Sequence, residues 1–193
     1  MASKTIGQID EVASLAANDL IEIERAGVSY SVELLNDDGA IPVNGIKFPS
    51  TQAPSTDANT FDDYEENTFT PGFAFGGASV GMAYSNQTGR YTKIGNRVFI
   101  SGVITLIDKG SSIGAATITG LPFTSITDAA HFAVLNFRVS SVVFNDYPYG
   151  YIGSATNVVT LGETTHAGVV AGTTQADFAS TSSIMFSGHY VSA

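Results

Sequence analysis

Residues 97–111 read RVFISGVITLIDKGS, and this stretch decides the fold class. Apolar residues recur on one face of it, at Val98, Ile100, Ile104 and Leu106. Phe99 and Val103 fall on the opposite face, so the apolar positions repeat with the period of two that is typical of a β-strand. Asp108–Ser111 supplies a turn at the end of the run. The stretch therefore predicts a long strand that is apolar on both faces.

The same alternation recurs on both sides of this strand. Further strands are predicted over residues 73–75, 133–143, 158–161 and 184–190, with no helix-length amphipathic segment between them. Short strands separated by Gly, Ser, Asn and Asp turns, at intervals of about ten residues, favour an antiparallel β-sandwich of jelly-roll type. Strands that are apolar on both faces can meet the core on one side and a neighbouring subunit on the other. We therefore expect a mainly β fold, a C-terminal β-sandwich domain over residues 73–193, and a homo-oligomer.

A smaller module is predicted for residues 1–38. Apolar residues at helical spacing over 9–16 indicate a short helix, and two strand-like runs joined at Ala26-Gly27 indicate a hairpin. A piece this small buries little core, so it is expected to serve attachment or oligomerisation, with packing onto its own chain as the alternative. The residues assigned to its contact surface are Leu20, Ile21, Ile23, Val28, Tyr30 and Val32.

Residues 39–72 are predicted to form an extended linker. They contain four prolines, at positions 42, 49, 54 and 71, and show almost no hydrophobic periodicity. Proline cannot continue a helix and favours extended chain. A compact domain seldom contains so long a loop, which is why the segment is assigned between two folded regions.

Charge is concentrated in the first part of the chain. The protein has a formal net charge of −10, and residues 1–72 hold 13 acidic and 3 basic residues, whereas the rest holds five of each. A protein this acidic is repelled by phosphate backbones and anionic membranes, which argues against nucleic acid as a partner. No apolar run approaches the ~20 residues of a membrane span, so no membrane insertion is expected. There is no cysteine, which excludes disulfides and thiolate catalysis.

A tyrosine-rich stretch is the best candidate for ligand contact. Aromatic rings stack on the apolar faces of sugars, and the tyrosine hydroxyl can orient the ligand. The alternative is that these tyrosines point inward and pack in the core. The candidate ligand-binding residues are Asn145, Asp146, Tyr147, Tyr149 and Tyr151.

Catalytic and metal signatures are missing from the sequence. Asp146 and Glu163 are the best available pair of acids for glycoside hydrolysis, but single acids in turns are usually capping or solvated groups. The three histidines, His131, His166 and His189, lack the paired spacing of zinc motifs. The acidic residues between 57 and 66 match no calcium-binding loop. We predict no enzyme activity, no metal and no cofactor.

Several segments resemble a known family. Residues 46–52 (IKFPSTQ) and 57–71 (DANTFDDYEENTFTP) resemble the segment that precedes the terminal domain of tail fibre and tail spike proteins of tailed bacteriophages. Residues 89–98 (GRYTKIGNRV), with GLPF at 120–123, resemble the opening strands of that domain. The run at residues 18–23 resembles a small N-terminal module of such virion proteins. Together these segments touch all three regions and cover about half of the chain.

The resemblance implies a receptor-binding virion protein. Its expected form is a short homotrimeric tail fibre, made in the bacterial host cytoplasm and attached to another virion protein, of the tail or the capsid, through the N-terminal module. The C-terminal domain would bind a glycan or protein of the host surface. Hydrolysis is not implied, because the chain lacks the long β-helical body in which depolymerising spikes keep their catalytic carboxylates. The alternative is a capsid-decorating fibre, a cement protein or a tail adaptor without a receptor-binding role.

Overall fold

The computed structural model describes residues 20–25, 28–33 and 63–193. The chain divides into two compact units, Met1–Lys47 and Phe48–Ala193. No helix within the described ranges has the length and apolar character to cross a membrane.

In the first unit, two strands form the predicted hairpin. Strand β1, Leu20–Arg25, pairs antiparallel with β2, Val28–Glu33. The register places four of the predicted attachment residues opposite one another, Ile21 with Val32 and Ile23 with Tyr30. Leu20 pairs with Glu33 and Val28 with Arg25. The predicted helix over 9–16 lies outside the described residues.

The second unit is built from ten strands that form one antiparallel sheet. The strands are β3 Tyr64–Phe69, β4 Gly72–Phe75, β5 Met82–Ile94, β6 Arg97–Lys109, β7 Ala116–Thr119, β8 Ala133–Val142, β9 Tyr147–Ile152, β10 Val159–Thr164, β11 Val170–Gly172 and β12 Phe178–Val191. Their order is β3-β5-β6-β12-β8-β9-β10-β7-β4, with β11 added on β10. A single 3₁₀ turn, Gln175–Asp177, interrupts the described strands. The mainly β class is confirmed.

The sheet curls because β8 belongs to two pairings. Residues 136–142 of β8 pair with β12, whereas residues 133–135 pair with β9. One strand thus continues from the half made of β3, β5, β6 and β12 into the half made of β9, β10, β7 and β4. Where the sequence predicted the two separate sheets of a jelly-roll sandwich, the structure has one continuous sheet curled on itself.

The two ends of this strand order are joined by the chain itself. Strands β3 and β4 lie at opposite ends of the order, yet only Thr70 and the fully buried Pro71 separate them in sequence. Gln87 Nε2 of β5 donates a hydrogen bond to the Pro71 carbonyl at 3.1 Å, and the Tyr84 hydroxyl accepts one from the Phe73 amide at 3.0 Å. These bonds hold β4 against β5 and close the curl.

Strand β3 corrects one boundary of the sequence analysis. The linker predicted for 39–72 includes Tyr64–Phe69, which pairs along its whole length with β5. The carboxylate of Asp63 forms a buried ion pair with Lys93 just before the strand, and Phe69 reaches the core. Residues 64–72 are therefore part of the folded sheet, while residues 39–62 lie outside the described residues.

The core lies between the two halves of the sheet. The four residues predicted to share one face of β6 (Val98, Ile100, Ile104 and Leu106) are all buried, whereas Phe99 on the other face is 44% exposed. Phe178 of β12 meets rings from β4 edge-on, with centroids 5.2 Å from Phe73 and 5.0 Å from Phe75. Strands from both halves therefore share one hydrophobic cluster.

Two core-facing glycines make room for aromatic rings. Gly89 and Gly102 are paired across β5 and β6, between Phe69 of β3 and Phe186 of β12. A Cβ at Gly89 would lie 2.5 Å from the Phe69 ring, and one at Gly102 would lie 2.5 Å from the Phe186 ring. The two rings approach each other over the glycines at 6.4 Å.

Candidate functional site

The three tyrosines of β9 all point away from the core. We call Tyr147, Tyr149 and Tyr151 the tyrosine row; alternate residues of a strand face the same side. On the other face of the strand, Gly150 and Ile152 are buried, while Pro148 near the strand start is exposed. A Cβ at Gly150 would lie 2.3 Å from the Phe137 ring, so only glycine fits under that ring. This inner packing presents the tyrosines on the outer surface.

The tyrosine row is extended by rings from two other segments. Tyr149 and Tyr151 stack with centroids 6.1 Å apart and an interplanar angle of 26°. Phe132, which is 52% exposed, lies 5.8 Å from Tyr151. His166 stacks on Tyr147 at 5.6 Å. The sequence analysis missed Phe132 and the ring role of His166, because both come from segments distant in sequence and carry no local signal.

Tyr149 lies across the neighbouring strand. It pairs with Gly162 of β10, where a Cβ would come within 2.6 Å of the tyrosine hydroxyl oxygen. The pKa of Tyr149 is raised, first by burial and then by the charge of Tyr151. The phenol therefore stays protonated and can donate a hydrogen bond at any pH near neutrality.

At the polar end of the row, the carboxylates of Glu163 and Asp146 are held in place by hydrogen bonds. Glu163 accepts hydrogen bonds from the Asn145 amide at 2.6 Å, from Asn145 Nδ2 at 3.0 Å and from the Asp146 amide at 3.4 Å. Asp146 in turn accepts from the His166 amide at 3.1 Å and contacts His166 Nδ1 at 2.7 Å. All five candidate ligand-binding residues thus come together with Glu163 and His166 at one side of the curled sheet.

The same contacts decide what these acids can do chemically. Hydrogen bonds from the Asn145 side chain and amide lower the pKa of Glu163, so this carboxyl remains ionised and cannot serve as a general acid near neutral pH. Both acids hold the loop between β8 and β9 in place.

The histidines and the acidic residues of β3 have protein partners. His131 contacts Asp128 at 2.8 Å, and the His189 ring lies 5.6 Å from Phe99. Glu65 accepts a hydrogen bond from the Tyr91 hydroxyl and Glu66 from the Tyr64 hydroxyl. Within the described ranges, no group of three or more His, Asp and Glu side chains could hold a metal ion.

A second surface lies on the outer face of the other half of the sheet. Here a shallow groove of about 650 Å³ crosses β3, β5, β6 and β12, and a neighbouring groove of about 620 Å³ continues it to β8. Ser101 and Ser187 line both. We call the combined depression the serine groove. The groove leaves no local signal in the sequence, because β12 and β8 join the β5–β6 hairpin only through long-range pairing.

Comparison with known proteins identifies the fold. No family model matches the chain, and no curated protein matches it. Among solved structures it is similar to the crystal structure of Dettilon tailspike protein (gp208), with a TM-score of 0.56, 20% sequence identity, and coverage of 66% of this chain and 24% of that chain. The chain spans about a quarter of that tailspike chain. The expected likeness to tail spike proteins is therefore confirmed at the level of the fold.

Proposed function

We propose that this protein is a virion component of a tailed bacteriophage that binds a glycan of the host cell surface through the tyrosine row. The observation that carries the proposal is the outward alignment of Tyr147, Tyr149 and Tyr151 with Phe132 and His166. The tailspike-like fold supports the same class of protein.

The chemistry of the tyrosine row fits sugar rings. Exposed aromatic faces stack on the C–H faces of pyranoses, and rings with few rotatable bonds lose little entropy on binding. Thr160 and Thr164 of β10 pair with Tyr151 and Tyr147, so their hydroxyls flank the row. Two carboxylates lie at its polar end and would repel an acidic sugar. The row is suited to a neutral glycan.

We propose binding without hydrolysis. Asp146 and Glu163 are the two acids of the candidate site, and both are engaged as hydrogen-bond acceptors, Glu163 from the Asn145 amide before β9 and Asp146 from the His166 amide after β10. A glycosidase needs one protonated carboxyl beside the scissile bond, whereas hydrogen bonding keeps Glu163 ionised.

We further propose a short homotrimeric fibre, made in the bacterial host cytoplasm and attached to another virion protein through the hairpin of β1 and β2. The acidic first part of the chain, with 13 acids among residues 1–72, would suit a basic partner surface. At one end of the sheet, Val80, Ile107 and Ile113 are 63%, 62% and 75% exposed. Hydrogen bonds from the Ser111 amide to the Val80 carbonyl hold two of these segments together, which offers an apolar surface for contact between subunits.

The test is binding of the purified protein to cells of the bacterium that the phage infects. We expect fluorescently labelled protein to label these cells and to compete with phage adsorption. A Tyr147→Ser/Tyr151→Ser variant should bind about tenfold or more weakly, because two stacking rings are lost. Tyr147→Phe/Tyr151→Phe should retain most of the binding, since the rings remain.

Val143→Ser serves as the matched control, because it removes a 66% exposed apolar side chain outside the tyrosine row. Unchanged labelling by the serine double variant would contradict the proposed site. If the wild-type protein does not bind cells, and virions that lack it adsorb normally but lose stability or a tail part, the protein is instead a capsid-decorating fibre, a cement protein or a tail adaptor.

A further inference from the structure

The serine groove carries a row of hydrogen-bonding side chains in lateral register. Arg90 of β5 pairs with Ser101 of β6, Ser101 with Ser187 of β12, and Ser187 with Asn136 of β8. Directly paired residues point to the same side of a sheet. The guanidinium, two hydroxyls and one amide therefore line up on the outer face, across the β5–β6 hairpin and two strands, β12 and β8, from later parts of the chain.

A second guanidinium lies at the other side of the groove. In the adjacent row, Val103 pairs with Met185 and Met185 with Arg138. Arg90 and Arg138 thus lie on β5 and β8, three strand spacings apart, or about 14 Å at ~4.8 Å per spacing. This separation is longer than the spacing of neighbouring sugar units, so it suits an acidic oligosaccharide whose two bound carboxylates lie on sugar units with others between them.

Among the described residues, no carboxylate forms an ion pair with either guanidinium. In the part of the chain that the structure describes, Arg90 and Arg138 have no ion-pair or hydrogen-bond partner. The five acids of the last 121 residues all lie elsewhere, in turns, loop anchors and caps: Asp108, Asp128, Asp146, Glu163 and Asp177. Glu66 lines the groove at its β3 edge, where the Tyr64 hydroxyl donates to it.

An exposed aromatic ring lies beside the polar row. Phe99 is 44% exposed, and its ring centroid lies 5.6 Å from that of His189. Phe99 and His189 form the next same-side pair along β6 and β12 after Ser101 and Ser187. A ring face next to hydroxyl, amide and guanidinium groups offers both stacking and charge-assisted hydrogen bonds, which is the combination that a carboxylated sugar requires.

We propose that the serine groove is a second saccharide-binding site, specific for acidic glycans that carry carboxylates. Arg90 and Arg138 bind the carboxylates, and Ser101, Ser187 and Asn136 bind the hydroxyls between them. This site is separate from the tyrosine row, whose polar end is negative. Acidic-glycan binding by the serine groove does not depend on glycan binding by the tyrosine row.

The experiment uses the full-length protein and tetragalacturonate as the probe, with its fully methyl-esterified form as the matched neutral ligand. Titration calorimetry should detect binding of the acid, weakening as salt is raised, and at least about tenfold weaker binding of the ester. Arg90→Gln and Arg138→Gln should each weaken binding of the acid by about tenfold, the usual effect of losing a charge-assisted hydrogen bond. Arg97→Gln, which removes a guanidinium from β6 outside the groove, should leave binding unchanged.

A second measurement does not depend on the variants. In NMR spectra of the wild-type protein, tetragalacturonate should shift the amide signals of Ser101, Ser187 and Asn136 and leave those of Tyr147 and Tyr149 in place. Equal affinity for the ester and the acid, an Arg97→Gln effect as large as that of Arg90→Gln, or shifts confined to the tyrosine row would overturn the proposal. Absence of binding by wild-type protein, including the case in which sedimentation shows a second copy covering the face, would overturn it as well.

Discussion

At the scale of single residues, the phenol of Tyr190 links the last strand to the loop before β8. It is almost fully buried, donates a hydrogen bond to the Phe123 carbonyl at 2.9 Å and accepts one from the Phe123 amide at 3.1 Å. Both backbone groups of one residue are thus satisfied by a single side chain. Burial raises the pKa of Tyr190 to about 12, and burial together with Glu65 raises the pKa of Tyr91 to about 12.

These raised pKa values predict alkaline destabilisation. Below pH 10 the phenols are protonated in both the folded and the unfolded chain, so their contribution to stability is complete. Between about pH 10 and about 12 the unfolded chain releases the protons first, and the free energy of unfolding should fall as pH rises. Urea unfolding at pH 8, 10 and 11 measures this slope.

Tyr190→Phe should flatten the slope, because it removes one of the two phenols whose pKa is raised to about 12. At pH 8 it should lower stability by about 1–3 kcal/mol, because the buried amide and carbonyl of Phe123 lose their partner. Tyr147→Phe is the control, because it removes the same hydroxyl group from an exposed tyrosine. A slope in Tyr190→Phe equal to that of the wild type would contradict the assignment.

The tyrosine row shows what sequence can and cannot predict at this scale. Alternation along β9 places Tyr147, Tyr149 and Tyr151 on one face, and that much was predictable. Which face is outward depends on Phe137 filling the space over Gly150, a contact between strands that the sequence does not reveal. The positions of Phe132 and His166 beside the row depend on the same long-range packing.

At the scale of elements, the long apolar strands were predictable and the polar edge strand was not. Alternation of apolar residues identified β6 and β12 because one face of each strand is buried in the core while the other face is largely exposed. Tyr64–Phe69 is mostly exposed, and Phe69 is its contact with the core, so no period of two appears in its sequence. Its strand character comes from pairing with β5, together with the buried pair of Asp63 and Lys93.

The glycines that face the core give a prediction for an element. Gly102→Ala should lower the free energy of unfolding by about 1–3 kcal/mol, because the new Cβ would meet the Phe186 ring at 2.5 Å and force it out of place. Gly172→Ala in β11 is the matched control, since a Cβ there has nothing within 4 Å. Chemical denaturation of both variants measures the difference. An equal free energy of unfolding of the two variants would show that the Phe186 ring can move to accommodate the added methyl group.

At the scale of the whole molecule, the strand order follows no pattern that neighbouring residues reveal. The chain places β3 and β4 at opposite ends of the order and inserts β12 between β6 and β8. Local alternation carries information about faces but none about partners, which explains why the fold class was predictable and the continuous curled sheet was not. For the same reason, the serine groove could not be predicted from the sequence.

This topology changes the expected boundary of an independent fragment. The sequence predicts that residues 73–193 fold alone, but that fragment lacks β3, the buried Pro71 and the carboxylate of Asp63. Without them β5 presents an unpaired edge and Lys93 is left as a buried charge, a loss that typically costs about 3–5 kcal/mol. We expect residues 63–193 to unfold cooperatively in urea and residues 73–193 to aggregate or show no cooperative transition.

Circular dichroism and size-exclusion chromatography of the two fragments check this expectation. The longer fragment is the control for removal of the N-terminal module. A cooperative transition of equal midpoint in both fragments would mean that β3 contributes nothing to the sheet.

The position of β12 has a consequence for how the protein is made. Phe178–Val191 is the last strand in sequence, yet it pairs on both sides, with β6 and with β8, and so joins parts of the sheet that were synthesised earlier. Until Val191 has left the ribosome, the nascent chain has a gap in the middle of its sheet rather than at an edge. A polypeptide released early by a stalled ribosome or a premature stop codon cannot fill that gap, so its sheet stays open and accessible to proteases.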